Sequence, residues 1–574
     1  MVTALRSALP WLVAFAFFVI YRLSLAPSIV FGDSGELLTA SSVLGVAHPP
    51  GYPLYTLLGN IALRIGGGTA LAMNTLSALL AAASVGLLFA VVRRATGALA
   101  PALLAAIVFG SSPTWWSESI ITEVYPLSLL LLIAAAGCVY AKDARLFLLG
   151  IYLLGLGAVH HPINVFYGAP LFVVAAFRLR RENTNTWIAA LALLLGPLSL
   201  LAYLKIRAAS DAPLVWSQLT TWGDTWDHFM RTGYGDLLAS DGRGRGIPFL
   251  AKGLLLGRVL REELALTALL LGSLGFLWGA FRAWRRPLII AVTLALFLGA
   301  VLLPAILTWE DTAFSTASNR VFFIPLVALL AALAGYGAQA LGRFPRLAWL
   351  PWAAVLLAAG GIAIRFGSID QRGNYAAADT ARAFLSPLPP ESNLIVGNGQ
   401  ILMPVLYLQT LEDVRTDVVV DEPKGIWRKR PSGGAPYFTN KENADVMAKR
   451  VTIAGETSPV IAVPFGVGWG VGTGDGARDR DPFAMTEVAI RSLPDHRIRA
   501  AEREVVFAFH LQYARVMQAR GRRDAMIRQI ALAKHYAKSA DGGETLLSGV
   551  ARALGVRPDE IKQLEQTTQP AEDN

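Results

Sequence analysis

Two carboxylates and one histidine follow the first apolar segment of the chain at spacings that suit acid–base chemistry. Asp33 and Glu36 lie three residues apart in the segment FGDSGE at residues 31–36, and His48 opens the segment HPPGYP twelve residues after Glu36. Ionisable groups kept close to a bilayer are costly, so they mark candidate functional sites. Partial burial moves the pKa of a carboxyl group towards the working pH, as a general base requires. The pattern therefore indicates a general base at Asp33 or Glu36.

The same spacing also fits a structural role. An Asp at a helix N-cap followed three residues later by Glu forms a capping box, in which both side chains bind backbone N–H groups. If Asp33 or Ser34 begins a short helix, the two carboxylates lie near one face of it. That helix is expected to be amphipathic and to lie along the membrane surface. The spacing alone leaves both interpretations open.

Histidine and tryptophan pairs occur at the ends of other apolar segments. His160 and His161 precede Pro162, where they could bind a donor phosphate or an acceptor hydroxyl, or simply pack at the membrane interface. A zinc site is disfavoured because adjacent histidines point to different faces of a helix. Trp115 and Trp116 fit an aromatic interfacial belt, and stacking on a sugar ring is the alternative.

Four charged residues lie near the same segments. Glu118 and Glu123 bracket the loop that follows the tryptophan pair and could join the polar site. Arg207 and Arg320 each stand at the end of an apolar segment. An arginine there can bind a phosphate through two parallel hydrogen bonds. It can equally extend its side chain to the lipid headgroups.

The elements that must position these residues are apolar. Of the 574 residues, 54% are hydrophobic and only 16% are charged, whereas soluble domains carry about 25% charged residues. The apolar residues form long runs, which predicts a polytopic α-helical membrane protein. The net charge of +10 comes largely from short loops and forms no patch interleaved with aromatics, which argues against a nucleic-acid partner. The single cysteine, Cys138, lies in an apolar run and predicts neither a disulfide within the chain nor a cysteine metal site.

About eleven transmembrane helices are predicted, and the first is interpreted as a retained helix and not as a cleaved signal peptide. Their approximate limits are residues 8–26, 70–92, 98–113, 119–141, 145–160, 163–178, 187–205, 261–281, 287–308, 321–341 and 347–366. Basic residues follow every even-numbered span, at Arg93, Arg94, Lys142, Arg145, Arg178, Arg180, Arg181, Arg282, Arg285, Arg286, Arg343 and Arg346. The positive-inside rule then places the N-terminus in the cytoplasm and the candidate site residues on the extracytoplasmic face.

The chain after the last span differs in composition. We expect a transmembrane domain over residues 1–367 and an extracytoplasmic domain over residues 368–574. Short apolar strands are predicted at 394–396 and 417–421, with a helix at 401–411 between them, which indicates an α/β part over about 368–480. A helical part is predicted over about 500–566.

Several of these segments together resemble the DUF2723 family. The resemblance rests on residues 32–36, 48–53, 123–125, 160–161, 406–409 and 415–418, and on Arg207, Pro213 and Trp216. It covers about residues 10–420, and the first two segments in tandem are its most specific part. The family includes a eukaryotic transmembrane protein O-mannosyltransferase and is placed among the GT-C glycosyltransferases.

The resemblance implies a GT-C-like fold and a polyprenyl- or dolichyl-phosphate sugar as the donor. It places Asp33 near the acceptor, with Glu36 as its partner, although the two acids stand three residues apart here and not in an Asp-Glu dipeptide. We expect an inverting transfer of a hexose such as mannose to a hydroxyl of a protein or glycan acceptor, in which His161 or Arg320 stabilises the leaving phosphate. The residues expected to bind substrates are His48, Glu118, Glu123, Tyr125, His160, His161, Arg207, Trp216 and Arg320.

No metal or other cofactor is expected, although the acidic pair could hold a divalent metal ion. A bacterial cytoplasmic membrane is the expected location. The rival interpretation is a transporter or flippase for a lipid-linked substrate. A transporter is expected to show inverted repeats and charges at depth in both halves, whereas here the ionisable groups gather on one face. A scaffold with an inert membrane part leaves the carboxylates after the first span unexplained.

Overall fold

The fold is described from a computed structural model. It covers residues 2–232, 247–283, 287–309, 313–396, 399–421, 426–427, 436–438, 460–465, 468–473, 500–537 and 543–565. Arg285, Arg286 and most of residues 440–480 lie outside this description, so the predictions made for them are not addressed below.

The regular elements described up to residue 369 are helices. The α-helices are α1 (Val2–Leu23), α2 (Ser34–Val43), α3 (Pro53–Ile65), α4 (Ala70–Thr96), α5 (Leu99–Gly110), α6 (Pro113–Ser119), α7 (Tyr125–Val139), α8 (Ala144–His160), α9 (Pro162–Leu179), α10 (Thr184–Leu195), α11 (Leu201–Ala209), α12 (Trp222–Met230), α13 (Phe249–Ala283), α14 (Pro287–Phe297), α15 (Leu303–Ile306), α16 (Ala313–Arg320), α17 (Ile324–Gly342) and α18 (Leu350–Ile369). Short 3-10 or π turns lie at Gly196–Leu200, Leu298–Leu302, Val321–Phe323 and Pro345–Leu347.

Each of the eleven predicted apolar segments contains a helix. Among the described residues, six helical segments are long and apolar enough to cross a membrane, or seven if α5 and α6, bent by 68°, form one broken span. Four further apolar helices are shorter, so the count of eleven spans stays a prediction. Helix α13 begins at Phe249, ahead of the predicted limit at 261, and is interrupted at Ala265.

Local sequence signals explain several helix ends. The Thr69 hydroxyl accepts from the backbone N–H of Ala72 at the start of α4, and Asp143 accepts from two backbone N–H groups at the start of α8. Gly97 ends α4 in the left-handed conformation that glycine adopts without strain. Helices α13 and α17 approach so closely that a Cβ on Gly275 or Gly337 would meet the backbone of the other helix. Small residues thus set the packing distance in this part of the bundle.

The chain after α18 builds a mixed α/β part followed by helices. Its elements are α19 (Ala376–Leu385), β1 (Asn393–Ile395), α20 (Gly399–Leu411), β2 (Val419–Asp421), β3 (Pro436–Phe438), β4 (Val460–Phe465), β5 (Gly468–Thr473), α21 (Ala500–Ala519), α22 (Arg523–Ala537), α23 (Gly543–Ala553) and α24 (Pro558–Glu565).

The strands form one sheet in the order β2-β1-β3-β5-β4. Strand β1 pairs in parallel with β2 and β3, and β5 pairs antiparallel with β3 and β4. The helix α20 therefore connects two parallel strands, as the sequence predicted for residues 394–421.

A continuous hydrophobic core joins this C-terminal part to the start of the chain. Phe31 and Leu37 beside α2 pack in the same buried cluster as Val405 and Leu406 of α20 and Val506 of α21. The domain boundary predicted near residue 368 therefore falls between segments that share a core, and the division into two domains stays a prediction.

Candidate active site

The site begins at the first turn of α2, where both structural expectations for this helix prove wrong. Asp33 occupies the N-cap position but its side chain makes no capping hydrogen bond, so the capping-box interpretation fails. Residues 34–41 of the helix are all buried, so α2 is not an amphipathic helix on the membrane surface. Glu36 of this helix faces His48, and Gly35 lies against the backbone of Met403 in the C-terminal part.

Glu36 is held by His48. One carboxylate oxygen of Glu36 accepts from the backbone N–H of His48 at 2.6 Å, and the same oxygen lies 3.0 Å from the ring Nδ1. The turn that follows His48 makes this contact possible, because the Gly51 N–H donates to the His48 carbonyl and Gly51 has a φ of +92°. The Pro/Gly-rich segment thus returns the chain so that His48 faces α2.

The second ring nitrogen of His48 faces Asp33. His48 Nε2 lies 3.7 Å from a carboxylate oxygen of Asp33 and 3.3 Å from the Tyr52 hydroxyl. The imidazole therefore lies between two different carboxylates. The Glu36 side chain is buried, with 3% of its surface exposed, whereas the Asp33 side chain is accessible, with 52% exposed. This difference separates the two acids that the sequence could not distinguish.

The two carboxylates also decide the charge of His48. Burial lowers the pKa of the imidazole, but the charges of Glu36 and Asp33 outweigh burial and raise it to about 9. His48 is therefore an imidazolium at neutral pH, with both ring nitrogens protonated. In that state Nδ1–H donates to Glu36, and Nε2 lies 3.3 Å from the Tyr52 hydroxyl and 3.7 Å from a carboxylate oxygen of Asp33.

The same three residues could also hold a metal ion. One ligand atom each from Asp33, Glu36 and His48 can be chosen so that all lie within 4.8 Å of one another. Carboxylate and imidazole groups are common metal ligands. In the observed geometry, however, His48 Nδ1 is hydrogen-bonded to Glu36, and His48 Nε2 forms an ion-pair contact of 3.7 Å with Asp33.

A layer of aromatic rings joins this group to the histidine pair. Tyr52 stacks on His161 with a ring separation of 6.0 Å and meets His160 edge-on at 5.9 Å. Tyr125 lies 5.6 Å from His161 on the other side. Residues that are more than 100 positions apart in the sequence thus form one cluster.

The histidine pair has partners of its own. His161 Nδ1 accepts from the backbone N–H of Ile163 at 3.1 Å and so caps α9. His160 Nε2 lies 3.2 Å from the Val124 carbonyl oxygen. Both side chains are buried in the protein. The expected contact of either residue with a phosphate stays a prediction.

Trp216 forms another wall of the site. Its ring meets His48 edge-on at 5.7 Å, and its backbone N–H donates to the Val46 carbonyl at 3.1 Å. The Val46 N–H in turn donates to Leu214. This short bridge holds the segment before His48 against the segment after α11.

The predicted acids Glu118 and Glu123 are buried close to the aromatic layer. Their charges act on the Tyr125 side chain. Burial raises the pKa of Tyr52, Arg231 lowers it, and the charges of Asp33 and Glu123 raise it. The structure therefore brings Glu118, Glu123 and Tyr125 together with the group at Asp33.

Two residues of the site escaped the sequence analysis. Arg231, half-buried at the end of α12 with a φ of +63°, lies near enough to His48 to lower the pKa of that imidazole. His228, on the same helix, contacts the Ala47 carbonyl oxygen at 3.1 Å through Nε2. No sequence signal points to either residue, because α12 belongs to a loop whose position depends on the fold around it.

Arg207 and Arg320 bind protein groups. Arg207 donates to the backbone carbonyls of Leu44 and Val43 at 2.6 and 3.2 Å, and so closes the C-terminal end of α2. Arg320 pairs with Glu263 at 2.8 Å, and with a second glutamate beside it. Their guanidinium groups are used here to neutralise carbonyl and carboxylate oxygens, and a contact with phosphate or lipid stays a prediction.

The tryptophan pair was placed wrongly. Trp115 and Trp116 are fully buried, and Trp116 Nε1 donates to the Ser24 hydroxyl at 2.9 Å. They belong to the core around α1, α5 and α6 because the bend between α5 and α6 turns them inward. They form neither an interfacial belt nor a surface on which a sugar could stack.

Comparison with known proteins places these residues in context. Residues 33–185 match the family model of the protein O-mannosyl-transferase TMEM260 N-terminal domain. The match begins at Asp33, so it contains the three residues Asp33, Glu36 and His48.

Two similar proteins are also named protein O-mannosyl-transferase TMEM260. The chain is 29% identical over 450 residues to protein O-mannosyl-transferase TMEM260 of Mus musculus, covering 70% of this chain and 61% of that protein. It is 22% identical over 454 residues to protein O-mannosyl-transferase tmem260 of Dictyostelium discoideum, covering 70% of this chain and 55% of that protein. The chain thus matches less than two thirds of the length of either relative.

Solved structures of ArnT from Cupriavidus metallidurans share the fold. The form bound to undecaprenyl phosphate aligns with a TM-score of 0.51 at 13% identity, covering 80% of this chain and 97% of that chain. The apo form aligns with a TM-score of 0.52 at 12% identity, covering 82% and 98%. The chain is an integral membrane protein with the ArnT-like GT-C fold that the sequence predicted.

Proposed function

We propose that the chain is a membrane glycosyltransferase that moves a hexose, such as mannose, from a polyprenyl-phosphate donor to a hydroxyl of a protein or glycan acceptor. The observation that carries the proposal is the arrangement of Glu36, His48 and Asp33. The buried carboxylate of Glu36 holds the His48 imidazolium beside the accessible carboxylate of Asp33. The similarity to proteins named protein O-mannosyl-transferase supports the reaction class. The bound undecaprenyl phosphate of ArnT supports a lipid-phosphate donor.

Asp33 is the proposed general base. The carboxylate oxygens of Glu36 contact the backbone N–H and the ring Nδ1 of His48, and the Glu36 side chain is 3% exposed, whereas that of Asp33 is 52% exposed. Asp33 can therefore reach an acceptor hydroxyl and Glu36 cannot. Asp33 takes the hydroxyl proton while the acceptor oxygen forms a bond to the anomeric carbon. The bond from that carbon to the phosphate oxygen breaks, and its electron pair leaves with the polyprenyl phosphate, so the anomeric configuration inverts.

Glu36 and His48 hold the base in place. The imidazolium of His48 lies 3.7 Å from Asp33, and its position is fixed by the two contacts that it makes with Glu36. A base that is already oriented loses little conformational freedom when the acceptor binds. The two acids therefore have different proposed roles: Asp33 is the base, and Glu36 holds His48 in position.

Arg231 is the proposed charge partner of the leaving phosphate. Its guanidinium is half-buried and acts electrostatically on His48 and Tyr52. Stabilising the charge that develops on a leaving group is often a large part of catalysis. Arg320, which the sequence also offered for this role, is paired with Glu263. His161, on the aromatic layer, remains a second candidate.

The reaction is proposed to need no metal, because each nitrogen of His48 is directed at its own carboxylate. The site is proposed to face the extracytoplasmic side of a bacterial cytoplasmic membrane, with the N-terminus inside. The relatives are named as transferases, which favours this reading over a transporter or flippase.

The test is transfer by the purified protein in lipid nanodiscs, with polyprenyl-phosphate mannose as the donor and peptides and glycans as acceptors. Asp33→Asn is expected to lower kcat about 100-fold, as the loss of a general base does, while donor binding is retained. Asp211→Asn, at an exposed carboxylate after α11, is the matched control. Wild-type turnover by Asp33→Asn would refute the assignment of the base.

A further inference from the structure

The C-terminal part of the chain touches the segment that carries the proposed base. The backbone N–H of Gly32 donates to the side-chain oxygen of Gln400 at 2.8 Å. Gly32 directly precedes Asp33, and its φ of +105° belongs to the region that favours glycine. Gln400 is the second residue of α20. A side chain from the C-terminal part therefore fixes the peptide group next to Asp33.

A second contact lies one helical turn further along. A Cβ added at Gly35 would approach the carbonyl carbon and oxygen of Met403 to 3.1 Å and the nitrogen of Pro404 to 3.3 Å. Helix α2 thus rests directly on the backbone of α20, with no side chain between them. This close approach sets the position of the whole first turn of α2, which contains Glu36.

A third contact reaches the opposite wall of the site. The backbone N–H of Val215 donates to the Ile426 carbonyl at 3.0 Å, and Leu214 forms a β-bridge with Trp427. The next residue, Trp216, packs its ring against His48. The C-terminal part therefore supports both Asp33 and the aromatic wall beside His48.

We propose that Gln400 is a positioning residue for Asp33, and that the C-terminal part completes the active site. The proposal rests on the proposed function, because it assumes that Asp33 is the base. Gln400 does not touch the substrates in this scheme. It acts through the Gly32 peptide, and α20 acts through its contact with α2. The C-terminal part therefore contributes to the rate of transfer even with acceptors too small to reach its outer surface.

The test compares two replacements of similar shape. Gln400→Met removes the acceptor oxygen and keeps the length of the side chain, whereas Gln400→Glu keeps an acceptor for the Gly32 N–H. Thr410→Val, on the same helix, is the matched control, because the Thr410 hydroxyl donates to the carbonyls of Leu406 and Tyr407 in its own helix. Gln400→Ala replaces Gln400→Met if the latter does not fold.

The readouts are kcat, the dissociation constant of polyprenyl phosphate, and amide hydrogen exchange in residues 31–36. Gln400→Met is expected to lower kcat about 10-fold, as the loss of one hydrogen bond does, with the polyprenyl-phosphate affinity unchanged and exchange in that segment faster. Gln400→Glu is expected to restore most of the rate and the slow exchange. Thr410→Val is expected to match the wild type in all three.

The outcomes separate this proposal from the proposed function. Unchanged kcat and unchanged exchange in Gln400→Met would overturn the positioning role. A kcat loss that Gln400→Glu fails to restore would also overturn it, because the acceptor oxygen would then not be what matters. If the wild type transfers no sugar while Gln400→Met alone speeds exchange at residues 31–36, the positioning contact stands and the proposed function fails.

Discussion

The carboxylate of Glu36 receives the backbone N–H and the ring Nδ1–H of His48 on the same oxygen, at 2.6 and 3.0 Å. This contact turns the other ring nitrogen towards Asp33. The two acids of one short motif therefore have different roles: one is a buried anchor and the other is an accessible carboxylate. Both follow from the turn at residues 48–53, which brings the histidine back over α2.

The anchor can be tested by removing its charge. Glu36→Gln keeps the shape of the side chain but loses the negative charge that holds His48 as an imidazolium, so kcat is expected to fall about 10-fold or more. The affinity for the polyprenyl-phosphate donor is expected to stay unchanged. Steady-state kinetics together with donor binding measure both. Glu182→Gln, at an exposed position after α9, serves as the control, and equal rates for the two variants would contradict the role of Glu36.

The charge of His48 predicts how stability depends on pH. Its pKa is raised from 6.5 to about 9 in the folded protein, so folding favours proton uptake. The resulting stabilisation is complete below about pH 6.5 and is lost as the pH rises towards 9, by up to roughly 3 kcal/mol. The melting temperature of the wild type is expected to fall over this range more steeply than that of His48→Gln. Parallel pH curves for the two proteins would show that His48 is not charged in the fold.

The close contact of α2 with α20 predicts a position that tolerates no side chain. Gly35→Ala places a Cβ 3.1 Å from the Met403 backbone, so the two helices must move apart by a few tenths of an ångström. We expect a loss of transfer rate of about 10-fold and a lower melting temperature, since small displacements of catalytic groups are costly. Gly399→Ala, where nothing lies within 4 Å of the added atom, is the matched control. A fully active Gly35→Ala would mean that the helices adapt without displacing the acids.

Substitutions of Arg231 and Arg207 are expected to have different effects. Arg231→Gln removes the charge proposed for the phosphate, so the affinity for polyprenyl phosphate is expected to fall about 10-fold with little change in melting temperature. Arg207→Gln removes the hydrogen bonds to the Val43 and Leu44 carbonyls and is expected to cost about 1–3 kcal/mol of stability, with donor affinity retained. Donor titration and thermal unfolding distinguish the two. The reverse pattern would return the phosphate role to Arg207.

Removal of metal is the last test. Transfer is expected to continue in EDTA at the untreated rate, because the His48 nitrogens are directed at Asp33 and Glu36. The matched measurement adds back Mg²⁺, Mn²⁺ or Zn²⁺ to the treated enzyme. A loss of activity that one of these ions restores would indicate a metal centre on Asp33, Glu36 and His48.

Much of the fold follows from local sequence. Long apolar runs predict helices because a bilayer leaves no other way to satisfy the backbone, and each of the eleven predicted runs contains one. Asp33, Glu36 and His48 could be grouped in advance because they lie within sixteen residues around one rigid turn. The two strands on either side of α20 could also be predicted, because the strand, helix and second strand lie within thirty residues of one another.

The rest depends on contacts between distant parts of the chain. Arg231 and Gln400 carry no local signal, because their roles exist only once α12 and α20 are packed. The burial of Trp115 and Trp116 follows from a 68° bend that their own sequence does not specify. The roles of Asp33 and Glu36 differ because one is covered and the other is not, and accessibility is a property of the folded protein.

The contact between Gly32 and Gln400 spans 368 positions of the chain. During synthesis the N-terminal residue of this pair emerges first, and its partner follows only after nearly all of the apolar helices have been made. The motif near the first helix is therefore present in the membrane long before it can acquire its final geometry. A chain that stops before α20 lacks the Gln400 contact, so the geometry proposed for Asp33 can form only after residue 400 has been synthesised.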